Sequence, residues 1–147
     1  MTDESKPNHV KKPSVLFVCS KNGGKSQLAA ALMNQLAGGT VEVSSGGTKP
    51  GNDLNAESVD SLAELGIDIS QEHPKAVTEQ ALAAADVVVV LGTEAKLGRR
   101  DGTRFERWGI DEPSLRGIEG TERMRLVRDD IKTRVEALHT ELAAGRD

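Results

Sequence analysis

Residues 14–36 read SVLFVCSKNGGKSQLAAALMNQL, and no other stretch restricts the fold as much. An apolar run from Val15 to Cys19 breaks at a turn holding Gly23 and Gly24. Leucines then recur at Leu28, Leu32 and Leu36. The pattern predicts a buried strand over Ser14–Cys19, a tight turn, and a helix over Ser26–Leu36 stopped by Gly38 and Gly39. The rest of the chain alternates in the same way. A strand is expected over Val41–Ser45, then a turn-rich loop SGGTKPGN. A helix follows over Asn55–Leu65, with Val59, Leu62 and Leu65 inward and Gly66 as its stop. Thr78–Ala85 reads as a third helix and Asp86–Leu91, DVVVVL, as a strand. That strand is apolar at nearly every position, as in a parallel sheet covered on both faces. Phe105–Ile110 is expected as a fourth strand. A final helix over Glu119–Ala143 carries Met124, Val127, Ile131, Val135, Leu138 and Leu142 at steps of three and four. With no internal repeat and no linker, the expectation is one doubly wound α/β domain over residues 14–147. Its core would be a four-stranded parallel sheet with flanking helices. Residues 1–13, polar and aperiodic, read as a flexible tail.

Composition narrows the function. Hydrophobic residues make up 37% and aromatics 2%, so the core must be built from Val, Leu, Ile and Ala. A net charge of −4 gives no basic field for nucleic acid, and with no Tyr there is little to stack bases on. No apolar run is long enough to span a membrane, and the N-terminus has no apolar signal core. A cytoplasmic protein is expected. Its single cysteine cannot form an internal disulfide and would stay a thiol in a reducing compartment.

In a doubly wound sheet the first strand–turn–helix lies at the carboxyl edge, where ligands bind. Two phosphate-loop patterns fit residues 19–26. The nucleotide pattern G-x-x-x-x-G-K-[ST] lacks only its first glycine, replaced by Cys19. The cysteine-phosphatase pattern C-x-x-x-x-x-R-[ST] lacks only its arginine, replaced by Lys25. The nucleotide reading fails further, because no apolar strand ends in an acidic residue for Mg²⁺ and no base-recognition motif is present. The backbone N–H groups of Ser20, Lys21, Asn22, Gly23 and Gly24 would form an anion nest at the helix N-terminus. Gly23, Gly24 and Asn22 tolerate the positive φ that a nest requires. The helix dipole and Lys25 favour the thiolate of Cys19, the nucleophilic form. Ser26 can donate a hydrogen bond to the sulfur. A lysine in a first helical turn opposes the dipole, so its position asks for an anion. His9, His73 and His139 have no metal-ligand spacing.

The segments VLFVCSKNGGKSQ, VSSGGTKPG, LNAESVDSLAELGIDIS, DVVVVLG and RWGIDEPSLRGIEGTERMRLVRDDI resemble the low-molecular-weight protein tyrosine phosphatase fold and, within it, the arsenate reductases. NGGKSQ together with DEPS and RGIEG is most similar to the arsenate–mycothiol transferases of actinobacteria. Lysine is usual at the position of Lys25 in that group. The resemblance makes Cys19 the nucleophile and Asn22–Ser26 the oxyanion cradle. The general acid of the family is an Asp directly before Pro. Glu112 holds that position here and Asp111 precedes it, so the acid is one of these two. Asn55 matches a family residue that supports the loop, and Ser44 and Ser45, which follow a strand, are candidates to back it by hydrogen bonds. Arg116, Arg123 and Arg125 are candidates to meet an anionic cosubstrate. Ala30 replaces a Glu of the family's potassium site, so no metal is expected.

Thioredoxin-coupled arsenate reductases of this fold carry two further cysteines, the first falling at Gly92. With one cysteine, an external thiol must complete the two-electron reduction. The resemblance therefore implies arsenate as substrate, mycothiol as cosubstrate with no bound cofactor, and a mycoredoxin-type redoxin that reduces the adduct to arsenite. Two alternatives stay open. One is a phosphomonoesterase working through a phosphocysteine, which the scarcity of aromatics disfavours for phosphotyrosine. The other is an anion-binding module without catalysis.

Overall fold

The computed structural model describes residues 12–144. Residues 1–11, with His9 and most of the expected tail, lie outside them. Nine elements follow in order: β1 (Ser14–Cys19), α1 (Lys25–Ala37), β2 (Glu42–Gly47), α2 (Ala56–Ala63), α3 (Glu79–Ala84), β3 (Val87–Leu91), β4 (Arg104–Trp108), a 3₁₀ turn (Pro113–Arg116) and α4 (Gly120–Ala144). The sheet is four-stranded and all parallel, in the order β2-β1-β3-β4. Its register sets Val15 beside Val43 and Val87, and Cys19 beside Gly47. Parallel neighbours need crossovers, and the helices supply them, so every strand ends at the same edge.

Alternation along β1 and β3 explains the continuous apolar runs. Val15, Phe17, Val87, Val89 and Leu91 face α1, α2 and α4, where they meet Leu28, Leu32, Met33, Leu62, Val127, Ile131 and Val135. Leu16, Val18, Val88 and Val90 face the opposite side, beneath Leu82, Ala85 and Ala95. The final helix buries Met124, Val127, Ile131, Val135 and Leu138 as its spacing predicts. Leu36 departs from the predicted stripe and is 41% exposed, while Met33 is buried. Eight residues advance a helix by about 80° beyond two full turns, so i+8 rotates off the buried face.

Gly46 and Gly47, expected in a loop, extend β2 instead. They pair with Val18 and Cys19, and Val77 closes on Gly46 so tightly that a Cβ there would lie 2.9 Å from it. Tertiary pairing overrides the weak strand preference of glycine. Asn55 and Thr78, expected inside helices, are their N-caps, accepting hydrogen bonds from the Ser58 and Ala81 amides. Pro13 also joins the structure, its carbonyl accepting the Glu42 amide at 2.8 Å. Among the described residues no helix is long and apolar enough to cross a membrane.

Candidate active site

The turn after β1 places Cys19 beneath the N-terminus of α1. Asn22 takes a left-handed backbone, φ 55°, and bends the chain so that its own amide donates to Cys19 Sγ at 3.2 Å. Ser26 Oγ lies 2.9 Å from the same sulfur. Asn22 Nδ2 donates to Ser26 Oγ at 2.7 Å, which leaves the serine proton free to point at Sγ. Two hydrogen-bonding groups thus converge on the sulfur. The N-cap of α1 is Gly24, without a side-chain cap, so the first amides of the helix stay open to an anion.

Second-layer contacts fix this loop. Asn22 is fully buried, and Nδ2 also donates to Ser45 Oγ at 3.1 Å. Its Oδ1 accepts from Gln27 Nε2 at 3.1 Å and from the Lys75 amide at 3.0 Å. Lys75 Nζ donates to Ser45 Oγ at 3.1 Å. Gly23 O accepts the Asn55 amide at 2.7 Å, so the loop is tied to the start of α2. Asn55 therefore supports the loop through its backbone, while its side chain caps α2. Ser44 does not take part. It is exposed on β2, and the pleat turns Ser45 alone toward Asn22. A potassium ion does not fit these residues. Ala30 offers no ligand, and Ser45 Oγ and Asn22 Oδ1 are already taken up by Lys75 and Gln27.

A cleft of about 990 Å³ opens above Cys19. Ser20, Lys21, Gly23, Gly24 and Lys25 from the loop line it, together with Glu112, Leu115 and, from α4, Arg123. This space far exceeds a tetrahedral oxyanion. Leu115 stands 86% exposed at the rim. The three aromatics lie elsewhere: Phe17 packs on Trp108 with ring centroids 6.0 Å apart, and Phe105 lies under Arg99.

The two candidate acids differ in placement. Glu112 lines the cleft and Asp111 does not. Arg123 grips Glu112 with two hydrogen bonds of 2.7 and 3.0 Å, and Ser114 Oγ adds a third at 2.7 Å. These donors lower the Glu112 pKa from 4.5 to about 2, with Arg123 the main cause. Arg116 holds Asp111 in the same bidentate way, at 2.8 and 3.2 Å, and lowers its pKa as well. In this arrangement both are carboxylates at neutral pH. Arg125 is turned away, paired with Glu64. Sequence reading gave no role to Gln27, although it closes the NGGKSQ motif, or to Lys75, which carries no local motif. The only signal for Lys75 is the pairing of β1 with β2 and the return of the chain there to bridge Gly47.

Related proteins share this architecture. An arsenate reductase of Staphylococcus epidermidis is 31% identical over 132 residues, covering 88% of this chain and 98% of that one. The structure of an arsenate reductase in the phosphate binding state superposes with a TM-score of 0.77 at 29% identity, covering 88% of this chain and 98% of that one. A thioredoxin-dependent arsenate reductase of Corynebacterium glutamicum superposes with a TM-score of 0.76 at 28% identity over 94% of this chain, which spans 65% of that longer one. The family described as low molecular weight phosphotyrosine protein phosphatase matches residues 14–147, and this chain belongs to it.

Proposed function

We propose that the protein reduces arsenate by way of an adduct with a small thiol, mycothiol, from which a mycoredoxin-type redoxin releases arsenite. Arsenate occupies the Cys19–Ser26 cradle as phosphate would. A thiol sulfur forms the S–As bond while an As–O bond breaks. The oxygen leaves as water, taking up the thiol proton, and arsenic stays pentavalent. A second thiol then attacks the sulfur of the adduct. The two sulfurs close a disulfide, and their two electrons reduce arsenic to arsenite. Backbone amides and Lys25 counter the charge that gathers on the arsenate oxygens, the term expected to dominate.

The observation that carries this reading is the lone thiol beside an oversized cleft. Cys19 is the only cysteine. Gly92, where thioredoxin-coupled enzymes of this fold place the next one, has φ 85° and sits against Lys25, a backbone that disfavours any side chain. The chain cannot close an internal disulfide, and the cleft has room for the thiol that must do so instead. The family description favours a second reading, phosphomonoester hydrolysis. The cleft has no aromatic wall to grip a phenyl ring, so an aryl phosphate would be a poor substrate.

The test is arsenite formation by the purified protein with mycothiol and mycoredoxin, beside glutathione and thioredoxin, in wild type and Cys19→Ser. Arsenite only with the mycothiol pair, lost in the variant, supports the proposal. Aryl phosphate turnover without arsenite under any thiol system overturns it in favour of a phosphatase.

A further inference from the structure

The residue matching the general acid of the family is engaged as a carboxylate, and the group that engages it faces the cleft. Arg123 gives Nε and one Nη2 hydrogen to Glu112. A guanidinium has five N–H donors, so three remain, and they have no hydrogen-bond partner among the described residues. The nearest other carboxylate is Glu57 on α2, with its oxygen 4.0 Å from Nη1, beyond hydrogen-bond reach. Glu119, ahead of α4, adds only a weaker electrostatic effect. Arg123 is three-quarters buried and lines the same cleft as Cys19 and Lys25. The next residue, Met124, accepts a contact from Ser58 Oγ at 3.8 Å. That hydroxyl would lie 3.4 Å from a Cβ placed on Gly24. Met124, the neighbour of Arg123 on α4, is thus one side chain from the cradle.

We propose that Arg123 is a second anion-binding group of this site and that Glu112 is the positioning residue that holds it. Lys25 is a point charge and cannot present the planar pair of donors that an arginine offers an oxyanion. Arg123 supplies that pair from the α4 side of the same cleft, to oxygens of arsenate not engaged by the loop amides. Glu112 and Ser114 fix its rotamer in advance, which lowers the entropy lost on binding. The inference rests on reading the cleft as an oxyanion site.

The experiment measures protection of Cys19 from iodoacetamide by inorganic arsenate and by phosphate, a readout independent of turnover. Arg123→Met is expected to weaken protection by both anions about tenfold, the loss of one charge-assisted contact. Arg123→Lys, which keeps the charge and the fold, should recover part of it. In the arsenite assay Glu112→Gln should raise KM for arsenate more than it lowers kcat. Protection by Arg123→Met within about twofold of wild type overturns the proposal. So does a Glu112→Gln enzyme that loses kcat about a hundredfold with KM unchanged, the signature of a general acid. A wild-type protein that is protected by both anions yet makes no arsenite sinks the proposed reaction and leaves the test of Arg123 intact.

Discussion

Asn22 organises the cradle through four of its own polar atoms. Its amide reaches the sulfur, Nδ2 bridges Ser26 and Ser45, and its carbonyl and Oδ1 take Gln27, with Oδ1 also accepting from the Lys75 amide. Asparagine is among the few residues that tolerate φ near 55° at little cost. Asn22→Ala loses those side-chain bonds in a buried site and strains the backbone. The expected destabilisation is about 2–4 kcal/mol, read from urea unfolding, with slower alkylation of Cys19 at neutral pH. Glu112 leads to a different expectation. Its pKa falls from 4.5 to about 2 on folding, so ionised Glu112 stabilises the fold above pH 4.5. That contribution fades as pH drops from 4.5 toward 2, because the unfolded chain takes up the proton first and is stabilised relative to the fold. Urea melts of Glu112→Gln should show a flatter pH dependence than wild type between those two values.

At the scale of elements, β2 does two jobs with one pleat. Its central residues complete the sheet, and its last turn brings Gly47 against the phosphate loop. A Cβ on Gly47 would fall 2.7 Å from Ser20 O and 3.1 Å from Asn22 Cβ. Gly47→Ala should therefore cost about 1–3 kcal/mol and slow Cys19 alkylation, although Gly47 does not line the cleft. A normal alkylation rate in that variant would mean that the loop relaxes freely. α2 is coupled to the same loop through Asn55, whose amide binds Gly23 O and whose side chain caps the helix. The coupling of a cap to a cradle explains how Asn55, at the start of α2, stands among the supporting groups.

At the scale of the whole molecule, a two-sided core holds four parallel strands so that every loop after a strand opens on one edge. The cleft lies there because Cys19, Leu91 and the residues after Trp108 end adjacent strands. Met124 and Val127 at the start of α4 line the cleft, whereas Ile131, one turn further along, does not. Ile131→Ala removes a fully buried side chain and should cost about 2–5 kcal/mol in urea melts while leaving KM for arsenate unchanged. A shift in KM would show that packing of α4 sets the cleft.

Much of this architecture was legible in the chain, because it depends on short-range order. The strand of β1, the turn at Gly23-Gly24, the apolar run of β3 and the stripe of α4 are all set by periodicity within about a dozen residues. So was the juxtaposition of Cys19, Lys25 and Ser26, which lie on a single turn. The extension of β2 through two glycines was not legible, because it depends on pairing with β1. Nor was the choice between Ser44 and Ser45, which one step of register decides. Lys75 meets Ser45, and Arg123 meets Glu112, only when crossovers carry distant segments to one sheet edge. The sequence by itself determined which elements form and where the glycine-rich turn carrying Cys19 falls, since local backbone preference and spacing specify both. The tertiary structure alone decided which carboxylate faces the cleft and which cations pair with it, since those contacts join residues that only the packed sheet brings within reach.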